Sequence, residues 1–161
     1  MKRVNKTFSM VIAAFGLFLI SLGSVGEVHA QGNYKGQHYT KADVERIIKR
    51  VEERSDAFRE VVDRSLDRSA MNGTNREDNI NQQVKELENA IDKLRHDFDR
   101  AQTWEETRSQ VQKVMNEADE VNAIVRRGRW RRGGVVKSEW ALVRADLNRL
   151  AGVYNLRLLV A

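Results

Sequence analysis

The chain has 161 residues, 32% of them charged, with neither cysteine nor proline. Disulfides, covalently attached haem and a lipid carried on cysteine are thereby excluded, so the fold must be held by its core. The formal net charge of +5 is concentrated: six basic residues and no acid lie between Arg126 and Lys137, while the rest of the chain beyond residue 30 carries 19 basic and 22 acidic residues.

The first element reads as a leader. Lys2, Arg3 and Lys6 precede an uncharged run from Phe8 to Leu22, and a small-residue stretch then closes on Val28, His29 and Ala30. This order predicts a secretory signal cleaved after Ala30, with export to the periplasm or out of the cell. An apolar run of about 15 residues spans about 22 Å as a helix, short of a hydrocarbon core of about 30 Å, which favours a cleaved leader over a membrane anchor.

Residues 31–39 contain Gly32 and Gly36 among polar and aromatic side chains without periodicity and read as a flexible lead-in. Thr40 followed by Asp43 predicts an N-cap. The seam Val44, Ile47, Val51, Phe58, Val61 or Val62 and Leu66 predicts a helix over about 41–70, with a polar layer at Arg54 or Ser55. Met71, Asn72 and Gly73 close it.

Thr74 with Glu77 predicts a capping box for the most regular stretch of the chain, expected over about 75–101. There Ile80, Val84, Leu87, Ile91, Leu94, Phe98 and Ala101 alternate in steps of four and three, which keeps them on one narrow seam. A second box, Thr103 with Glu106, predicts a turn before a third helix over about 104–127, whose seam is Trp104, Thr107, Val111, Val114, Ala118, Val121 and Val125. One continuous helix through this junction is the alternative; it would extend about 75 Å and leave its seam short of partners. After the glycines from Gly128 to Gly134, the seam Val136, Trp140, Val143, Leu147, Leu150 and Tyr154 predicts a fourth helix over about 136–155, and Leu156 to Ala161 an apolar tail over the bundle end.

Four amphipathic segments with short connections predict an all-α, antiparallel up-down-up-down four-helix bundle over residues 40–157, following the signal peptide. It is expected as a monomer or as a homodimer of longer hairpins.

Such bundles hold haem or metals between facing helices, which requires ligand side chains on the seams. Beyond the leader the haem ligands on offer are His38, His96, Met71 and Met115, and His96 falls on the outward side of its helix. A di-iron site needs Glu three residues before His, and Lys93 occupies that place. Glu52 with Glu53, and Glu105 with Glu106, sit beside the seams and read as solvated faces. No nucleophile and base, and no phosphate-binding glycine motif, is recognisable. The expectation is a non-enzyme without metal or cofactor.

One segment stands apart: Arg126, Arg127, Arg129, Arg131 and Arg132 surround Trp130 among glycines. Guanidinium groups grip phosphate or carboxylate in a forked manner, and an exposed indole inserts at lipid interfaces or stacks on sugars. The functional reading is an anion-binding loop for anionic lipid, acidic polysaccharide or an acidic protein. The structural reading has the arginines capping negative helix ends and Trp130 plugging the bundle. Nucleic acid is not expected as a partner. Two further functional classes stay open: a holdase-like envelope chaperone exposing its seams to clients, and a cofactor-binding bundle.

Overall fold

The computed structural model describes residues 32–34, 37–128, 130 and 133–161. The expected leader, residues 1–30, lies outside them, as do Arg129, Arg131 and Arg132. Helices α1 (Lys41–Asp67), α2 (Asn75–Arg100), α3 (Arg108–Arg127) and α4 (Gly133–Val153) form a four-helix bundle. α1 packs chiefly on α2 and α4, and α3 packs on the same two helices.

The seams form the core. Val44, Val51, Phe58, Val62, Leu66, Leu87, Leu94, Val111, Val114, Val143, Leu147 and Leu150 have no accessible surface. The choices left open by periodicity resolve to Ser55 and Val62 as buried, with Arg54 and Val61 at the margin. Phe58 of α1 meets Trp140 of α4 with ring centroids 5.1 Å apart. Trp104 meets Tyr154 edge-on at the same separation.

The helix starts follow the capping chemistry. Thr40 accepts from the Asp43 amide at 3.2 Å while the Asp43 carboxylate accepts from the Thr40 amide at 3.1 Å. The Thr40 hydroxyl, and after it the Thr40 amide, hold the Asp43 carboxyl below its ordinary pKa. Lys41 donates its ammonium to the Ala101 carbonyl and lies 5.5 Å from the Phe98 ring centroid, which ties the start of α1 to the end of α2.

Several boundaries differ from the sequence reading. The lead-in is not without structure: β1 (Gly32–Tyr34) pairs antiparallel with β2 (Gln37–Tyr39), placing Asn33 opposite His38. Strands of three residues are too short to show a hydrophobic alternation, so only their tyrosines hinted at this ribbon. α1 stops at Asp67 rather than near residue 70, because Ser69 donates to the Leu66 carbonyl at 2.8 Å and Asn72 to the Asp67 carbonyl at 3.0 Å, closing the helix with side chains. Gly73, with φ of 74°, then makes the left-handed turn into α2.

At the next junction the chain breaks after Ala101, and Trp104–Thr107 forms a 3₁₀ turn rather than the first turn of α3. The Trp104 carbonyl is taken by the Thr107 hydroxyl at 2.8 Å and the Tyr154 hydroxyl at 2.9 Å, so the Arg108 amide turns to Glu105 instead. α4 begins at Gly133, three residues before its first buried seam residue, Val136.

α4 ends in a Schellman motif. The Leu156 amide donates to the Ala151 carbonyl at 2.9 Å and the Asn155 amide to Gly152 at 3.2 Å, with Asn155 left-handed at φ of 52°. The reversal sends residues 156–161 back along α4, where Asn148 of α4 and Asn122 of α3 bond to them. The tail therefore lies in the α3–α4 groove and not over the bundle end.

Burial pushes the Tyr154 hydroxyl up to about 12 from an ordinary value of 10.0, against a smaller opposing pull from the Thr107 hydrogen bond. The folded state thus keeps its proton where the unfolded chain loses it, so this contribution is complete below about pH 10 and is lost as pH rises through about 12. At about 1.4 kcal/mol per pH unit, it amounts to about 2–3 kcal/mol. Denaturant titrations at pH 7 and pH 11 should show a steeper alkaline loss for the native chain than for Tyr154→Phe. Equal losses would place the tyrosine in contact with water.

Candidate functional site

The arginine segment begins at the last turn of α3. Arg126 and Arg127 are exposed there, and among the described residues neither makes an ion pair. Of the six residues singled out by sequence, these two and Trp130 lie within the described structure. Trp130 departs from the functional reading. It is only 8% exposed, and its indole N–H donates to the Val125 carbonyl at 3.3 Å. The indole is a plug on the bundle and not a probe presented to solvent.

That plug changes what the arginines do. A helix leaves its last four carbonyls without partners, and basic side chains commonly serve them. Here the Gly128 amide donates to the Ile124 carbonyl at 2.8 Å and Trp130 takes Val125. Arg126 and Arg127 keep a favourable position near the negative helix end, but their donors remain available. Gly128 makes the closure possible. A Cβ there would sit 2.7 Å from the indole Cε2 and 2.9 Å from the Ile124 carbonyl oxygen.

Beneath Trp130 lies an open groove of about 510 Å³ between α2 and α3. Arg76 and Arg127 line it together with Ile80 and Trp130, and Glu117 and Glu120 line it as well. Arg76 was not anticipated. Its signal was present, because a cation in the first turn of a helix opposes the positive helix end and does nothing for helix stability. The glutamates make the groove interior unfavourable for an anion, so an anion is best met at the exposed guanidinium groups on the rim.

A second recess, of about 330 Å³, lies near the start of α1 and is lined by Tyr39, Asp43, Arg46, Arg50, Asp146 and Arg149. Its charges are largely matched: Arg46 pairs with Asp43 at 3.2 Å, and Arg50 reaches Asp146 at 4.0 Å. Arg54 Nε lies 2.8 Å from the other Asp146 oxygen, outside hydrogen-bond geometry. Asp146 is nearly buried between α1 and α4, a position at which the seam pattern predicted no acid. Among the described residues no three of His, Asp and Glu come together as a metal site.

Comparison of the chain with protein-family models, with curated proteins and with solved structures finds no match.

Gly128→Ala should displace the indole and lower stability by about 1–3 kcal/mol, in the range of overpacked sites. A thermal melt followed by circular dichroism at 222 nm checks it. An unchanged midpoint would mean that Trp130 does not close the helix.

Proposed function

We propose that the chain is an exported, non-catalytic interaction protein that engages anionic surfaces through the basic segment Arg126, Arg127, Arg129, Arg131 and Arg132. One observation carries this reading: Arg126 and Arg127 stand exposed at the end of α3 and make no ion pair among the described residues, while the Val125 carbonyl is taken by Trp130 rather than by either guanidinium group. Arg76 approaches from α2 and adds a third cation beside them. The exposed guanidinium groups suit phosphate or carboxylate, and each is worth about 1 kcal/mol near an anionic leaflet. The Trp130 indole has no direct part in it.

The same reading takes the bundle as antiparallel and up-down-up-down. Contacts across helix pairs support this, because partner numbers run in opposite directions. Glu45 meets Arg95 and Arg59 meets Glu88 across α1 and α2. Arg50 meets Asp146 and Phe58 meets Trp140 across α1 and α4. Thr107, just before α3, meets Tyr154, just after α4, and Asn122 meets Trp140 across α3 and α4. In that arrangement the α1–α2 and α3–α4 connections share one end, which is where Arg76 and Arg127 line a common groove.

The test replaces Arg126, Arg127, Arg129, Arg131 and Arg132 with Ser and measures co-sedimentation with phosphatidylglycerol vesicles, with neutral phosphatidylcholine vesicles and with alginate. The native chain should bind one of the two anionic probes, lose that binding as salt rises, and ignore the neutral vesicles. The variant should bind at least about tenfold more weakly with its helical spectrum intact. Equal binding by native chain and variant, or none by the native chain, rules the segment out.

A further inference from the structure

Residues 156–161 sit in the α3–α4 groove as a ligand sits in a receptor. The Leu159 amide donates to Asn148 Oδ1 at 2.7 Å, and Asn148 Nδ2 donates back to the Leu159 carbonyl at 3.1 Å. One side-chain amide thus serves both main-chain groups of one residue, as a neighbouring strand would. The next carbonyl, that of Val160, accepts from Asn122 Nδ2 at 3.1 Å and from Arg144 Nη1 at 3.4 Å. Leu159 is 6% exposed, while Leu158 and Val160 on either side of it point outward, the period-two alternation of an extended chain. Arg157 pairs with Asp119 of α3.

Asn122 shows that the groove is built for a main-chain carbonyl. The residue is only 3% exposed, and its Oδ1 accepts from the Trp140 indole N–H at 2.8 Å. An indole nitrogen can only donate, so Trp140 fixes which way the amide faces and aims Nδ2 into the groove. With the groove empty, that donor has no other protein partner among the described residues. An apolar residue would have filled the same core position without this demand.

The occupant has few buried contacts. Leu159 is the one buried side chain of the six residues, Leu156 packs half-buried against the core, and the Arg157–Asp119 pair is solvent-exposed. Segments with few buried contacts open locally, without global unfolding. The polar contacts read backbone and so accept other sequences, whereas the Leu159 pocket and Asp119 select an aliphatic residue and a basic one two places before it.

We infer that the α3–α4 groove is a peptide-binding site for extended segments of other proteins with the pattern basic, any, aliphatic, and that residues 156–161 occupy it as an intramolecular stand-in. This inference is independent of the arginine segment, since it uses none of those residues. A tether this short presents the stand-in at an effective concentration of about millimolar or above, so a free peptide binds well only when the stand-in is displaced.

The experiment uses the full chain carrying Leu159→Asp, which ejects the segment without shortening the protein. The probe is a fluorescein-labelled peptide with the sequence of residues 156–161, followed by anisotropy. The variant should keep its helical spectrum and bind the peptide saturably, at least about tenfold more tightly than the native chain does. Binding should fall at least about tenfold when Asn148→Ala is added, or when the peptide carries aspartate at the place of Leu159. A folded variant that ignores the peptide, or a native chain that binds it equally well, overturns the site. So does loss of helical structure in Leu159→Asp, which would make the segment indispensable to the fold.

Hydrogen exchange on the native chain gives a second reading. The Leu159 amide should exchange at least about 100-fold faster than those of Leu147 and Leu150, and exchange at the common core rate overturns the inference. Concentration-dependent dimers of the native chain in light scattering, abolished by Leu159→Asp, would assign the groove to a second copy and overturn the choice of a foreign peptide.

Discussion

Trp140 imposes the obligation that the rest of the molecule meets. Its ring, almost without accessible surface, packs on Phe58 of α1, and its N–H must find an acceptor inside a core made mostly of apolar side chains. The acceptor is Asn122 of α3, which brings a second polar group into the interior with a donor of its own to satisfy. That donor is met by the carbonyl of Val160. A single buried indole therefore couples α1, α3, α4 and the segment beyond α4, and it does so by hydrogen bonds whose direction admits no alternative. The aliphatic seams supply the bulk of the burial, but they are interchangeable along their length. The indole hydrogen bond fixes one point of register between α3 and α4.

The seams were legible in the sequence because each helix turns a polar face to solvent and an apolar stripe to the core. Ile80, Val84, Leu87, Ile91, Leu94 and Phe98, spaced in alternating fours and threes, are all buried. The caps were legible for a similar reason, since Thr40 with Asp43 and Thr103 with Glu106 are local chemistry. What escaped was non-local. Asn122 and Asp146 are buried because of what faces them from another helix, and nothing in their own neighbourhood announces a partner. The 3₁₀ turn at Trp104–Thr107 depends on a hydroxyl 50 residues away, that of Tyr154. Leu159 could be read as apolar but not as seated, because a six-residue tail has no period long enough to reveal a face.

The basic segment shows the same division. Its charge was plain, and the exposure of Arg126 and Arg127 fits the concentration of six cations without an acid between residues 126 and 137. The role of Trp130 was not, because an aromatic residue between arginines is compatible both with a surface probe and with a plug. The deciding feature is Gly128, which lets the indole approach the helix end closely enough to reach the Val125 carbonyl. Arg76, far away in sequence, joins the same groove through the packing of α2 on α3.

The three tryptophans of the chain are all buried, each in a different setting: Trp104 beside Tyr154 and the Tyr39 carbonyl, Trp130 over the end of α3, and Trp140 against Phe58. Trp104 and Trp130 lie to either side of α3, a helix of 20 residues that separates them by about 30 Å. The protein thus carries built-in optical reporters for separate regions. Indole emission moves to longer wavelength as water reaches the ring, so single-tryptophan versions would reveal whether the molecule comes apart from one extremity or all at once.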